Sequence, residues 1–105
     1  AQVSLEVPLT KADPGEQLRI GIRAGDILIS VERPAGLSAR NLIPAKLVSL
    51  RREGYTVIVE TVPAEDNHIP ITAHLTPRAV DTLQLKIGDV VWLVLKTHSC
   101  HVMRP

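Results

Sequence analysis

Apolar and polar residues alternate in Val3-Ser4-Leu5-Glu6-Val7, in Leu18-Arg19-Ile20-Gly21-Ile22-Arg23 and from Tyr55 to Val62. A period of two is the mark of a half-buried strand, because successive side chains leave a pleated backbone on opposite faces. Ile27 to Val31, Ala45 to Leu50, His68 to Leu75 and Val90 to Thr97 are short apolar runs rich in branched residues, and they also predict strands. Asp13-Pro14-Gly15, Ala24-Gly25-Asp26, Pro34-Ala35-Gly36, Glu53-Gly54 and Ile87-Gly88-Asp89 punctuate them as turns. One segment departs from this pattern. Thr76 stands where an N-cap would, Pro77 at a first helical position, and Val80 and Leu83 on one face, so the spacing predicts a short helix from Pro77 to about Leu85. The amides of such a first turn have no partner within the helix and suit an anion.

Seven short strands and one helix predict a mostly all-β chain, a small barrel like that of oligonucleotide/oligosaccharide-binding folds. Composition refines the core. Hydrophobic residues make up 45% of the 105 positions but aromatics only 2%, with Tyr55 and Trp92 the sole examples, so Val, Ile and Leu must fill the interior. This length suits one domain. The stretch Glu32 to Leu37 is the best junction, dividing an N-terminal β-segment, 1–37, from a second β-unit, 38–105.

Charge and cysteine content narrow the setting. Lys and Arg total 12 against 11 Asp and Glu, a net charge of +1, which lacks the basic excess that nucleic-acid binding requires. Cys100 is the single cysteine and no charged-then-apolar leader precedes the first strand, so a reducing, cytoplasmic setting is expected. The longest apolar runs fall well short of the roughly 20 residues that a membrane-spanning helix needs.

Candidate chemistry concentrates in Ser38-Ala39-Arg40-Asn41 and in Lys96-Thr97. A hydroxyl, a guanidinium and an amide in one short turn supply several hydrogen-bond donors with no carboxylate among them, which outlines an oxyanion site. The bland alternative is a surface turn whose Ser and Asn cap the local backbone. His98-Ser99-Cys100-His101 with Met103 contains soft metal ligands, but on a strand His98 and Cys100 would share one face while His101 faced the other, so it reads as a C-terminal strand. His68 and His74 are scattered surface or barrel-rim positions. Trp92 reads as core or interface packing, and Arg51-Arg52-Glu53 as a solvated hairpin tip. No spacing of Ser, His and Asp or of paired carboxylates outlines an active site.

The frame Gly36 to Pro44, then Ile71-Thr72-Ala73-His74-Leu75-Thr76, then Leu85-Lys86-Ile87-Gly88-Asp89 leading to Leu95-Lys96-Thr97, resembles the molbindin, or TOBE/Mop, type of molybdate-binding domain from about Leu37 to Val102. The preceding Leu18 to Ser30 is similar to the segment that leads into this domain in ATP-binding subunits of bacterial molybdate ABC transporters. The resemblance implies a C-terminal regulatory domain that holds molybdate or tungstate at the interface of a homodimer, with no catalytic cofactor. Its implied partners are the nucleotide-binding domain of the same subunit and the transporter's membrane subunits, which would hold it on the cytoplasmic face of the membrane.

Carried over residue by residue, the resemblance implies that Ser38, Ala39 and Arg40 bind the anion through side chains or backbone amides, with Asn41 organising the turn. Lys96 and Thr97 add an ammonium and a hydroxyl, and Thr76 another hydroxyl or a simple N-cap. Where the family often has Ser, this chain has Ala79, leaving a backbone amide. No G-x-x-x-x-G-K-[ST] run is present, so the chain is expected to be no ATPase. A donor-only site satisfies a fully ionised dianion, whereas hydrogen phosphate carries a proton that needs an acceptor, so rejection of phosphate is expected. Each charge-assisted bond contributes about 1.5 to 3 kcal/mol, and micromolar affinity needs about 8 kcal/mol. A free-standing molybdate store, the ligand-binding part of a molybdate-responsive transcription regulator and a sugar-transporter regulatory domain of similar fold are the alternatives. The residues before Ser38 speak against the first, the lack of a helix-turn-helix against the second, and the Ser38 to Asn41 run is not required by the third.

Overall fold

The computed structural model describes residues 19–38, 41–64 and 69–103. The strands are β1 (Arg19–Ile22), β2 (Leu28–Ser30), β3 (Asn41–Glu53), β4 (Thr56–Pro63), β5 (Ile71–Leu75), β6 (Val90–Leu95) and β7 (Cys100–Met103), and the helix α1 (Pro77–Leu83) lies between β5 and β6. A five-stranded antiparallel sheet runs in the order β2-β6-β3-β4-β5, and β1 pairs separately with β7. The 3-10 turn Ala24–Asp26, which leads into the edge strand β2, packs against the opposite edge strand β5. The sheet is thereby curled into a half-barrel, the mostly-β architecture that the alternation pattern predicts.

The core follows from that alternation. Along β3, Ile43, Ala45 and Leu47 point inward, along β4 Val57 and Val59, and along β6 Val91, Leu93 and Leu95, all buried together with Ile27, Ala73 and Leu85. No aromatic side chain belongs to this cluster. Branched and linear aliphatics fill the narrow interior, as the composition requires.

Beyond the strands so predicted, β3 begins at Asn41 and runs well past Ala45–Leu50. Between Leu47 and Ser49 its register with β4 shifts, and the Leu47 backbone turns to the loop before β6, its N–H donating to the Asp89 carbonyl at 2.9 Å and its carbonyl accepting from Gly88 N–H at 2.8 Å. β6 stops at Leu95, so Thr97 belongs to a 3-10 turn, Thr97–Ser99, and not to the strand. α1 stops at Leu83, because Gln84 turns to φ 52° and caps the last carbonyls, which frees Leu85 to enter the core. Val3 to Val7 and His68 lie outside the described residues.

The described part of the segment before Ser38 pairs with strands of the second β-unit. Leu28, Ile29 and Ser30 pair with Val94, Leu93 and Trp92, and Ile22 with Cys100.

Candidate functional site

The site is built where β3 begins and β6 ends. Asn41 pairs with Leu95, so the start of β3 and the turn after β6 lie side by side at one end of the sheet. Asn41 is only 4% exposed, and its Nδ2 donates to Cys100 Sγ at 3.7 Å. The amide therefore ties the start of β3 to the start of β7. Cys100 is itself buried, and its Sγ also reaches the Lys96 carbonyl at 3.6 Å. Burial pushes the Cys100 thiol above its ordinary pKa, and the Asn41 hydrogen bond offsets part of that rise.

Lys96 caps the Thr97–Ser99 turn through its backbone, its carbonyl accepting from Ser99 N–H at 3.0 Å, and leaves its ammonium exposed. A pocket of about 330 Å³ opens here, lined by Gly25, Asp26, Leu28, Leu37, Ser38, Val94, Lys96 and Ser99. Ser38 and Lys96, far apart in sequence, thus face one cavity. Thr97 follows at once, and its Oγ1 is buried without a hydrogen-bond partner. A buried hydroxyl left unpaired costs about 1 to 3 kcal/mol; Thr97 itself does not line the pocket. Ala39 and Arg40 lie outside the described residues.

Thr76 and Ala79 sit elsewhere. Thr76 caps α1, its Oγ1 accepting from Ala79 N–H at 3.1 Å, so that amide already has a partner within the chain. Leu75, just before the helix, pairs with Val57, whose β3 partner is Arg52 near the hairpin tip, whereas Lys96 follows the residue paired with Asn41. Along β3 the two groups stand at opposite ends, and neither Thr76 nor Ala79 lines the pocket.

Two polar pocket residues were not evident from sequence, Asp26 and Ser99. Asp26 reads locally as part of a turn, and only the pairing of Leu28 with Val94 swings it towards Lys96. Its carboxylate means that the wall is not made of donors alone. The argument for rejecting phosphate loses that premise, since an acceptor is present. His98 lies in the 3-10 turn and not on a strand, and no group of three metal-ligating side chains occurs among the described residues. Trp92 is half-buried with the Arg33 guanidinium 5.0 Å from its ring centre.

Residues 37–102 match the TOBE domain. The chain belongs to the TOBE domain family. This TOBE domain is 35% identical over 95 residues to the molybdenum import ATP-binding protein ModC of Mesorhizobium japonicum, an alignment covering 90% of the chain and 25% of the relative. It is 36% identical to ModC of Rhizobium meliloti, over 89% of the chain and 26% of that protein. The TOBE domain therefore spans about a quarter of the length of these curated relatives. In structure it is similar to the cytoplasmic molybdate-binding protein ModG in its molybdate-bound form, with a TM-score of 0.78 at 23% identity, over 87% of the chain and 64% of ModG. That likeness establishes the shared, OB-like fold.

Proposed function

We propose that this TOBE domain binds molybdate or tungstate and, as part of the ATP-binding subunit of a molybdate importer, makes ATP hydrolysis responsive to the cytoplasmic anion. The observation that carries the reading is the pocket that brings Ser38 and Lys96 together. The ammonium draws the anion, while the Ser38 hydroxyl, with Arg40 and the Ala39 amide that follow it in sequence, donates to its oxygens. Thr76, at the start of α1, would contribute from a second copy. The names of the relatives supply the ligand class, molybdenum oxyanions. The alignments reach beyond residues 37–102 into the N-terminal part, which favours an importer subunit over a free-standing store.

A homodimer is part of the proposal. On the outer face of β2 and β6, Leu28 is 57% and Val90 63% exposed, with Trp92 half-buried between them and the pocket at one end. A second copy would cover this apolar strip and complete the donor set around the anion. ATP hydrolysis would belong to the nucleotide-binding domain of the same subunit, and the membrane subunits would hold the assembly on the cytoplasmic face. Among the described residues no helix is long and apolar enough to cross a membrane.

Thermal unfolding tests the ligand assignment. Molybdate or tungstate at about 100 times the dissociation constant adds about 2.7 kcal/mol, which raises Tm by roughly 10 to 20 °C in a domain of this size. Phosphate at equal concentration is expected to give a smaller shift. Identical melting curves with and without both metal oxyanions would overturn the assignment.

A further inference from the structure

Asp26 and Lys96 face the same pocket, yet among the described residues neither side chain takes part in a hydrogen bond or an ion pair. Opposite charges that share a cavity without pairing are each free to act on whatever enters it. Leu28, Leu37 and Val94 complete the wall with apolar surface, although Leu28 and Leu37 are themselves exposed, so both charges act across a partly solvated pocket. Ser38 and Ser99 add hydroxyls that can donate or accept. The lining therefore carries one positive charge, one negative charge and two adaptable hydroxyls.

We infer that Asp26 is a specificity-determining residue of this pocket, one that weakens the hold on a fully ionised oxyanion and offers an acceptor to an oxyanion that retains a proton. The inference rests on the oxyanion reading above and concerns the same site. Molybdate has no proton to give, so it meets the Asp26 carboxylate only as like charge. Hydrogen phosphate can turn its O–H towards that carboxylate and recover a charge-assisted bond. Asp26 thus narrows the preference for molybdate over phosphate that Ser38, Lys96 and Thr97 alone would create.

The test is calorimetric titration of the 105-residue chain and its Asp26→Asn and Asp26→Ser variants with sodium molybdate and, separately, with inorganic phosphate. Asn keeps the shape and an acceptor oxygen but removes the charge; Ser removes the carboxyl group altogether. Asp26 is exposed, and the unliganded melting temperature of each variant checks that the fold is retained. Both variants are expected to bind molybdate about three- to tenfold more tightly, with a smaller change for phosphate, so that the preference for molybdate widens. Wild type and variants that bind molybdate with equal affinity would overturn this role for Asp26 and leave the oxyanion reading standing. Wild type and variants that all fail to bind molybdate, and likewise sodium tungstate titrated in a third series, would overturn the oxyanion reading, and this inference with it.

Discussion

If the proposed site takes in Thr97, that side chain trades stability for binding. Its Oγ1 is buried and unpaired, so Thr97→Val, which keeps the shape and removes the hydroxyl, should stabilise the unliganded domain by about 1 kcal/mol, or roughly 4 to 8 °C in Tm. The same change removes a donor from the anion, at about 1.5 to 3 kcal/mol for a bond to a charged group, hence roughly 10- to 150-fold weaker molybdate binding. Melting curves together with titrations would check both halves, and a variant that is less stable but binds normally would show that the hydroxyl serves only the fold. Cys100 has a different consequence. Its folded-state pKa is raised above the ordinary 9.0 by burial, so the folded chain keeps a proton that the unfolded chain gives up. The associated stability is fully present below the unfolded pKa and is lost as pH rises through the folded one. Urea midpoints should therefore fall more steeply above about pH 9 in the wild type than in Cys100→Ala. Equal pH profiles for the two would show that the thiol is not the titrating group.

At the scale of elements, α1 depends on its cap. Thr76→Ala leaves Ala79 N–H without its side-chain acceptor and should cost about 0.5 to 2 kcal/mol, measurable as a lower urea midpoint. If molybdate affinity falls as well, Thr76 serves the site in addition to the helix; unchanged affinity confines it to the cap. The start of this helix was legible in the sequence because an N-cap and a Pro at the first position act locally. The β3-β4 tip was legible for the same reason, with Arg51 and Glu53 paired at 3.3 Å in solvent and Gly54 at φ 61°. β7, read from the sequence as a C-terminal strand, begins only at Cys100, and its partner β1 at the other end of the chain was not evident from local pattern. A period of two also cannot show where a strand yields to a 3-10 turn, which is how Thr97 came to be read as part of β6. The meeting of Ser38 with Lys96 within one chain follows from the pairing of Asn41 with Leu95, which local pattern could not show and which the family resemblance had set across a dimer interface. Asp26 reaches the same pocket through the β2-β6 register, a long-range consequence that nothing in the turn Ala24-Gly25-Asp26 announces.

For the whole molecule, the apolar strip along β2 and β6 and the pocket at its end make assembly and anion binding one problem. If a second copy completes the donor set, molybdate must bind the dimer more tightly than the monomer, and sedimentation should show the dimer gaining population as molybdate is added. A monomer that binds molybdate tightly without associating would place the whole site within one chain. In an importer subunit that carries this domain, the same linkage would couple two such domains to the nucleotide-binding domains beside them. The anion can shift that equilibrium only by its differential affinity for the two arrangements, a coupling of about 1 to 3 kcal/mol, or roughly 5- to 150-fold. Molybdate would then slow its own import. Lys96→Ala removes the ammonium from the pocket, and ATP hydrolysis measured with and without molybdate should lose its dependence on the anion in this variant. Hydrolysis by the wild-type subunit that ignores molybdate across its binding range, or a Lys96→Ala subunit inhibited as strongly as wild type, would argue against regulation through this pocket. Because the exposed ammonium draws the anion over a distance that salt shortens, inhibition should also need more molybdate as ionic strength rises, and a half-inhibiting concentration indifferent to salt would point to a site held by neutral donors alone.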